Sequence, residues 1–208
     1  MCLIALSVEK SKDWNGKESY FFKIIANRDE YHERKTTAMH WWSNKEILAG
    51  KDEEAGGTWL GTNREGKFGA ITNLKENSAI KYDSSRGALV TDFLESNLSA
   101  KAYLEEIEPV MENYAGFNLI VGDKKGLFYL CNRLEGIFFI SEGVHALGNL
   151  TLNSSTKKVE AIKHDLNDIL HEGFSVEKGF NVMKKEYGNL HEKTKKELQV
   201  RDGEEIPY

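Results

Sequence analysis

The amino-acid sequence predicts a layered α+β fold built on antiparallel sheets. Two observations lead there. Strand-like and helix-like segments come in blocks rather than in βαβ alternation, and neighbouring strand candidates are joined by links of hairpin length. A third observation sets the scale. The chain has 208 residues, 40% of them hydrophobic and 29% charged, so it can bury one sizeable core and does not have a disordered composition.

Residues 3–8 form a short apolar run, and residues 20–26 are aromatic and β-branched with Lys23 as their only charge. Between them lies Asn15-Gly16, a strong hairpin-turn dipeptide, so the two runs are predicted to pair antiparallel. Residues 58–61 and 68–72 read as a second pair, joined by Asn63-Arg64-Glu65-Gly66. Helical periodicity follows. Leu89, Val90, Phe93 and Leu94 fall on one face, and after Ser99, a predicted N-cap, so do Tyr103, Leu104, Ile107, Val110 and Met111. Pro109 is expected to kink or shorten this second helix. Strands return at 117–121, 127–131, 137–140 and 144–147. Val159, Ile162, Leu166, Ile169 and Leu170 then make a helical stripe that Gly173 can stop, and Val176, Phe180 and Met183 suggest a last short helix. From residue 188 the chain is mostly polar, and it ends at Ile206-Pro207-Tyr208 without a closing strand.

A net charge of −5 argues against nucleic acid as a partner, because duplex binding needs a concentrated basic footprint. No apolar run approaches the roughly 18 residues of a membrane span. Glu9, Lys10, Lys12 and Asp13 follow the first apolar residues at once, which does not fit a secretory signal, and the cytoplasm is the expected location. Two cysteines, Cys2 and Cys131, are too few for a disulfide scaffold or a zinc site, and the six histidines show no ligand spacing. No metal and no cofactor are expected.

Cys2 is the first candidate for chemistry. Removal of Met1 would leave a thiol and a free α-amine on one residue, a nucleophile beside its own base. A small apolar residue buried at the start of a strand explains Cys2 as well. Cys131 lies in an apolar strand and is expected to be buried and inert. Asn27-Arg28-Asp29-Glu30 follows the second strand candidate, so the hairpin would bring it beside Cys2. A carboxylate there could hold an ammonium, and an ordinary charged loop is the plain alternative. Gly56-Gly57-Thr58-Trp59-Leu60-Gly61 lacks the ending of a phosphate loop, so its glycines are read as a tight turn or a close backbone approach, with Trp59 in the core or on a pocket wall. Asn73 and Asn149 each end an apolar strand, where they could donate to an oxyanion or serve as turn residues.

Taken together, these pieces resemble the NRDE family, also called transport and Golgi organisation protein 2-like. The resemblance is carried by Met1-Cys2-Leu3-Ile4, Asn27-Arg28-Asp29-Glu30, Ile47 to Asp52 with Gly56 to Gly61, Ala70-Ile71-Thr72-Asn73, Ser85-Arg86-Gly87, Gly116 to Ile120, and His145 to Asn149, over residues 1 to about 160. It implies an N-terminal-nucleophile hydrolase-like fold, a four-layer αββα sandwich of two antiparallel sheets, with residues 1–208 as one domain incomplete at its C-terminus. Similarity to cysteine-type acylases implies Cys2 as nucleophile, Asp29 beside the α-amine, and Asn73 and Asn149 around the oxyanion. Asn27, Arg28, Glu30, Trp59 and Arg86 are expected around the pocket. The acylase arginine just before Asn-x-Asp has no match, since Ala26 stands there, and the Arg28 side chain is expected on the other face of the strand. Gly148 and the Ser154-Ser155 pair depart from the family pattern, and the later Tyr-Gly-Thr-Arg segment is lacking. Two functions follow as expectations. One is a Cys2-dependent amidohydrolase acting on carbon–nitrogen bonds. The other is a non-catalytic binding or transfer protein for a hydrophobic ligand such as haem, acyl-CoA or lipid. In either case the partner is a small molecule, and an unpaired sheet edge would favour self-association.

Overall fold

A computed structural model describes residues 2–12, 15–30, 33–43, 45–74, 82 and 85–185. Met1, the polar tail from residue 188, His32 and His191 lie outside the described residues. The first hairpin joins β1 (Leu3–Lys12) to β2 (Glu18–Asn27), antiparallel, with Leu3 opposite Asn27 and Lys12 opposite Glu18. Gly16 takes a left-handed conformation at φ 77° in the turn. Next come β3 (Thr36–Trp41), β4 (Ile47–Asp52), β5 (Leu60–Asn63) and β6 (Phe68–Asn73). Helices α1 (Arg86–Glu95) and α2 (Ala100–Ile107) follow. Ser99 caps α2 by accepting from the Ala102 N–H, and Pro109 sits in a 3-10 turn, Glu108–Asn113, that takes over where α2 ends. The chain continues through β7 (Phe117–Asp123), β8 (Gly126–Cys131), β9 (Phe138–Ile140), β10 (Gly143–Leu147), α3 (Lys157–His171) and α4 (Val176–Met183).

These strands form two antiparallel sheets. Among the described residues one has three strands in the order β10-β1-β2, and the other has seven, β3 through β9 in chain order. Strand β1 is the central strand of the small sheet, and its alternation builds two cores. Leu3 and Ala5 pack with Val159, Ile162 and Leu166 of α3. Ile4, Leu6 and Val8 point the other way, onto Phe68, Ala70, Ile120 and Leu127 of the large sheet. The far face of the large sheet packs Ile71, Leu119, Val121 and Leu130 against Val90, Phe93 and Leu104 of α1 and α2. The layers therefore run helices, small sheet, large sheet, helices, which is the αββα sandwich. Among the described residues no helix is long and apolar enough to cross a membrane.

Strands β3 and β4 carry no clear sequence signal. All six residues of β3 are exposed because it is the edge of the large sheet, so no alternation marks it. The turn between β5 and β6 clasps the end of α1. Asn63 Nδ2 donates to the Leu94 carbonyl at 2.8 Å, and Lys67 Nζ donates to the Ser96 carbonyl. A cation at that end also suits the helix dipole.

Candidate active site

Cys2 directly precedes β1 and shares the parity of Ile4 and Leu6, so its side chain belongs to the space between the sheets. At this end of the strands that space opens into a cavity of about 670 Å³, and Cys2 lines it. Arg28, Glu30, Trp59, Asn73 and Arg86 line the same cavity. They arrive from different elements: Arg28 and Glu30 follow β2, Asn73 ends β6, and Arg86 opens α1. Cys131, in contrast, is fully buried in the inter-sheet core.

Asn27, Asp29 and Asn149 are not among the residues lining the cavity. Asn27 Nδ2 donates to the Met183 carbonyl at the end of α4, at 2.7 Å. Asp29 places Oδ2 3.7 Å from Lys158 Nζ on α3. Its backbone nevertheless hydrogen-bonds the Cys2 thiol, and its carboxylate is near enough to oppose thiolate formation. Asn149 Nδ2 donates to the Asn73 carbonyl at 2.8 Å, which ties the two asparagines together.

The expectation for Arg28 is reversed. Strand side chains alternate with period two, so residue 28 shares the face of residue 26 and not the opposite one. Ala26 packs at the inter-sheet core, and Arg28 continues the same face into the cavity. Arg28 therefore stands on the cysteine's side of the sheet.

Two residues outside the set expected around the pocket organise this wall. Asp52, at the end of β4, accepts from Arg34 Nε at 2.7 Å and from the backbone N–H groups of Glu54 and Ala55 at 3.1 Å each. Burial opposes ionisation of Asp52, but the Arg34 guanidinium and these N–H donors outweigh it and hold its carboxyl below the ordinary range. Arg28 reaches Asp52 at 3.4 Å and Glu30 at 3.5 Å. The Asp52 contact bridges the two sheets, and no local motif announces it. Burial pushes the Cys2 thiol up, while the Asp29 backbone hydrogen bond and the Arg28 charge pull it partway back.

The glycine-rich segment shapes the floor. Gly56 takes φ 74°, and a Cβ on Gly57 would lie 2.7 Å from the Gly87 carbonyl carbon, so only glycine lets this loop touch the start of α1. Behind Asn73 runs a buried polar chain. Tyr129 donates to Asn118 Oδ1 at 2.7 Å, Asn118 Nδ2 donates to Thr72 Oγ1 at 3.2 Å and to the Leu150 carbonyl at 3.0 Å, and Thr72 donates to the Gly148 carbonyl at 2.9 Å. It fixes the 148–150 turn that carries Asn149 against the large sheet.

Residues 1–205 match the family described as Transport and Golgi organisation 2. The chain belongs to that family. It is 37% identical over 153 residues to the mouse Transport and Golgi organization 2 homolog, covering 69% of this chain and 55% of the mouse protein. The human homolog is 35% identical over the same shares of each chain. An uncharacterized protein of Saccharomyces cerevisiae is 37% identical over 82 residues, 36% of this chain and 26% of the yeast protein. The chain spans about half the length of the curated animal relatives it matches. Among solved structures, a Caenorhabditis elegans N-acylethanolamine-hydrolyzing acid amidase ortholog superposes with a TM-score of 0.61 at 12% identity, over 89% of this chain and 87% of that one. That likeness shows that the chain shares the αββα sandwich fold of that amidase.

Proposed function

We propose that the protein is a cysteine-type amidohydrolase in which Cys2, once Met1 has been removed, attacks an amide carbonyl. The observation that carries this reading is that Cys2 precedes the central strand of the small sheet and opens into the cavity together with Arg28 and Asn73. In the proposed sequence, the Cys2 sulfur bonds to the carbonyl carbon while the α-amine accepts the thiol proton. That proton passes to the leaving nitrogen as the C–N bond breaks, and water then hydrolyses the thioester to release the acid and regenerate the thiol. Asn73 is the candidate oxyanion donor on the cavity wall, and Asn149, which donates to the Asn73 carbonyl, is the candidate that positions it. Asp29 is the candidate partner of the α-ammonium. The cavity wall supports a polar substrate better than a haem or a lipid, since among the described residues Trp59 and Ile71 are its large apolar members beside four cationic side chains.

Mass spectrometry on chains beginning at Cys2 and at Met1, incubated with N-acyl amides, tests the proposal. An acyl adduct on Cys2, with turnover in the trimmed chain alone, is the expected outcome. Turnover by the untrimmed chain would assign the nucleophile elsewhere, and no adduct in either form would remove the enzyme reading.

A further inference from the structure

We propose that the cavity takes an amide bearing an anionic group, a carboxylate or a phosphate, close to its scissile bond, and that Arg28 holds that group. The inference deepens the amidohydrolase reading and rests on it for the amide.

Among the described residues the cavity wall carries four cationic side chains, Arg28, Arg34, Lys51 and Arg86, against two carboxylates, Glu30 and Asp52. The cations are not equally engaged. Arg34 takes Asp52 at 2.7 Å. Asp52 also receives two backbone N–H groups, so its charge is largely satisfied without Arg28. Among the described residues Arg28 meets carboxylates at 3.4 and 3.5 Å, at the long edge of hydrogen bonding. Its guanidinium thus retains donors for an incoming anion. A planar fork of donors fits the paired oxygens of a carboxylate or a phosphate. Arg28 and Cys2 line the same cavity, which puts the anion subsite and the nucleophile in one space. The side chain is 20% exposed, enough for a ligand in the cavity to reach it and little enough for limited solvent screening.

Calorimetry on the full chain carrying Cys2→Ala tests the subsite with three ligands of one acyl length: N-octanoylglycine, N-octanoyl phosphoethanolamine and the neutral N-octanoylethanolamine. At least one anionic ligand is expected to bind about tenfold or more tightly than the neutral one. The tighter of the two anions identifies the carboxylate or the phosphate as the source. Arg28→Gln should erase the preference, Arg28→Lys should keep part of it, and Lys101→Gln, on the exposed side of α2, should leave it intact. The preference in the unaltered cavity should also fall as salt rises, which needs no substitution at Arg28. Equal affinity for all three ligands overturns the proposal, as does a salt-independent preference or one that survives in a folded Arg28→Gln chain. Binding is read without the nucleophile. Absence of turnover in the native chain would therefore sink the amidohydrolase and leave the subsite standing, whereas equal affinities would sink the subsite alone.

Discussion

The cavity has two contrasting walls. The side built from β2 and β4 is ionic: Arg28, Arg34, Glu30 and Asp52 meet there with side chains that remain partly accessible. The side built from β6 is neutral at its surface among the described residues, and behind Asn73 stands the fully enclosed relay of Tyr129, Asn118 and Thr72. The relay is directional, since each hydroxyl in it accepts one hydrogen bond and donates another. Its members cannot be exchanged without leaving a buried group unsatisfied, whereas the ionic wall can lose a partner and let water in. The enclosed wall is thus built as a scaffold, and the ionic wall is the one open to a ligand.

The largest expected effect concerns the group lying between the walls. In the trimmed chain, Cys2→Ala should lower turnover by at least about 10²-fold, as loss of a covalent nucleophile does. Cys131→Ala should cost stability without that loss, since Cys131 packs away from the cavity. Next comes the relay. Asn118→Leu keeps the branched shape but strands Thr72, Tyr129 and the Leu150 carbonyl, and should destabilise the fold by about 2–3 kcal/mol in denaturant unfolding. A loss below about 0.5 kcal/mol would erase the contrast between the walls.

On the ionic side, Asp52→Asn should cost only about 1 kcal/mol, because partly exposed ion pairs contribute little. The effect should depend on pH. The Asp52 carboxyl is held below its ordinary 3.8, so its contribution is fully present above that value and is lost as pH falls through the lower folded value. Native and Asp52→Asn stabilities should therefore converge in acid, and a constant gap would contradict the pairing. The smallest effect is expected at His145. Burial holds its pKa below 6.5, so the stability linked to its neutral form is present above pH 6.5 and declines as pH falls through the folded value. Asn153 Nδ2 donates to His145 Nδ1 at 2.9 Å, and its Oδ1 accepts from the Ala146 N–H at 3.1 Å, which fixes the amide's orientation. Asn153→Asp should raise the His145 pKa in an NMR titration by placing a carboxylate against the ring.

Much of the fold was legible because its cores are written as local periodicities. The 3–8 and 20–26 runs around Asn15-Gly16 gave the first hairpin, and the stripes at Leu89 to Leu94 and Val159 to Leu170 gave α1 and α3. Strand β3 was not legible, because an edge exposed on both faces has no reason to alternate. The site divided in the same way. Cys2, Asn73 and the Asn27 to Glu30 motif stood out as polar residues beside apolar strands. Arg34 and Asp52 did not, because their meeting depends on the stacking of two sheets rather than on spacing along the chain. Arg28 obeys the period-two alternation, sharing the face of Ala26 and so reaching the cavity.

One feature of the motif reaches beyond the cavity. Asn27 fastens to the end of α4 and Asp29 to Lys158 of α3, while Arg28 and Glu30, between and after them, line the cavity. Four consecutive residues thus act as a rivet through the small sheet, with heads on alternate sides. A ligand that tugs on Arg28 tugs on the outer helices through a single stretch of backbone. Occupancy of the cavity should therefore slow amide hydrogen exchange near Met183, on the opposite surface of the sheet, where no ligand atom can reach.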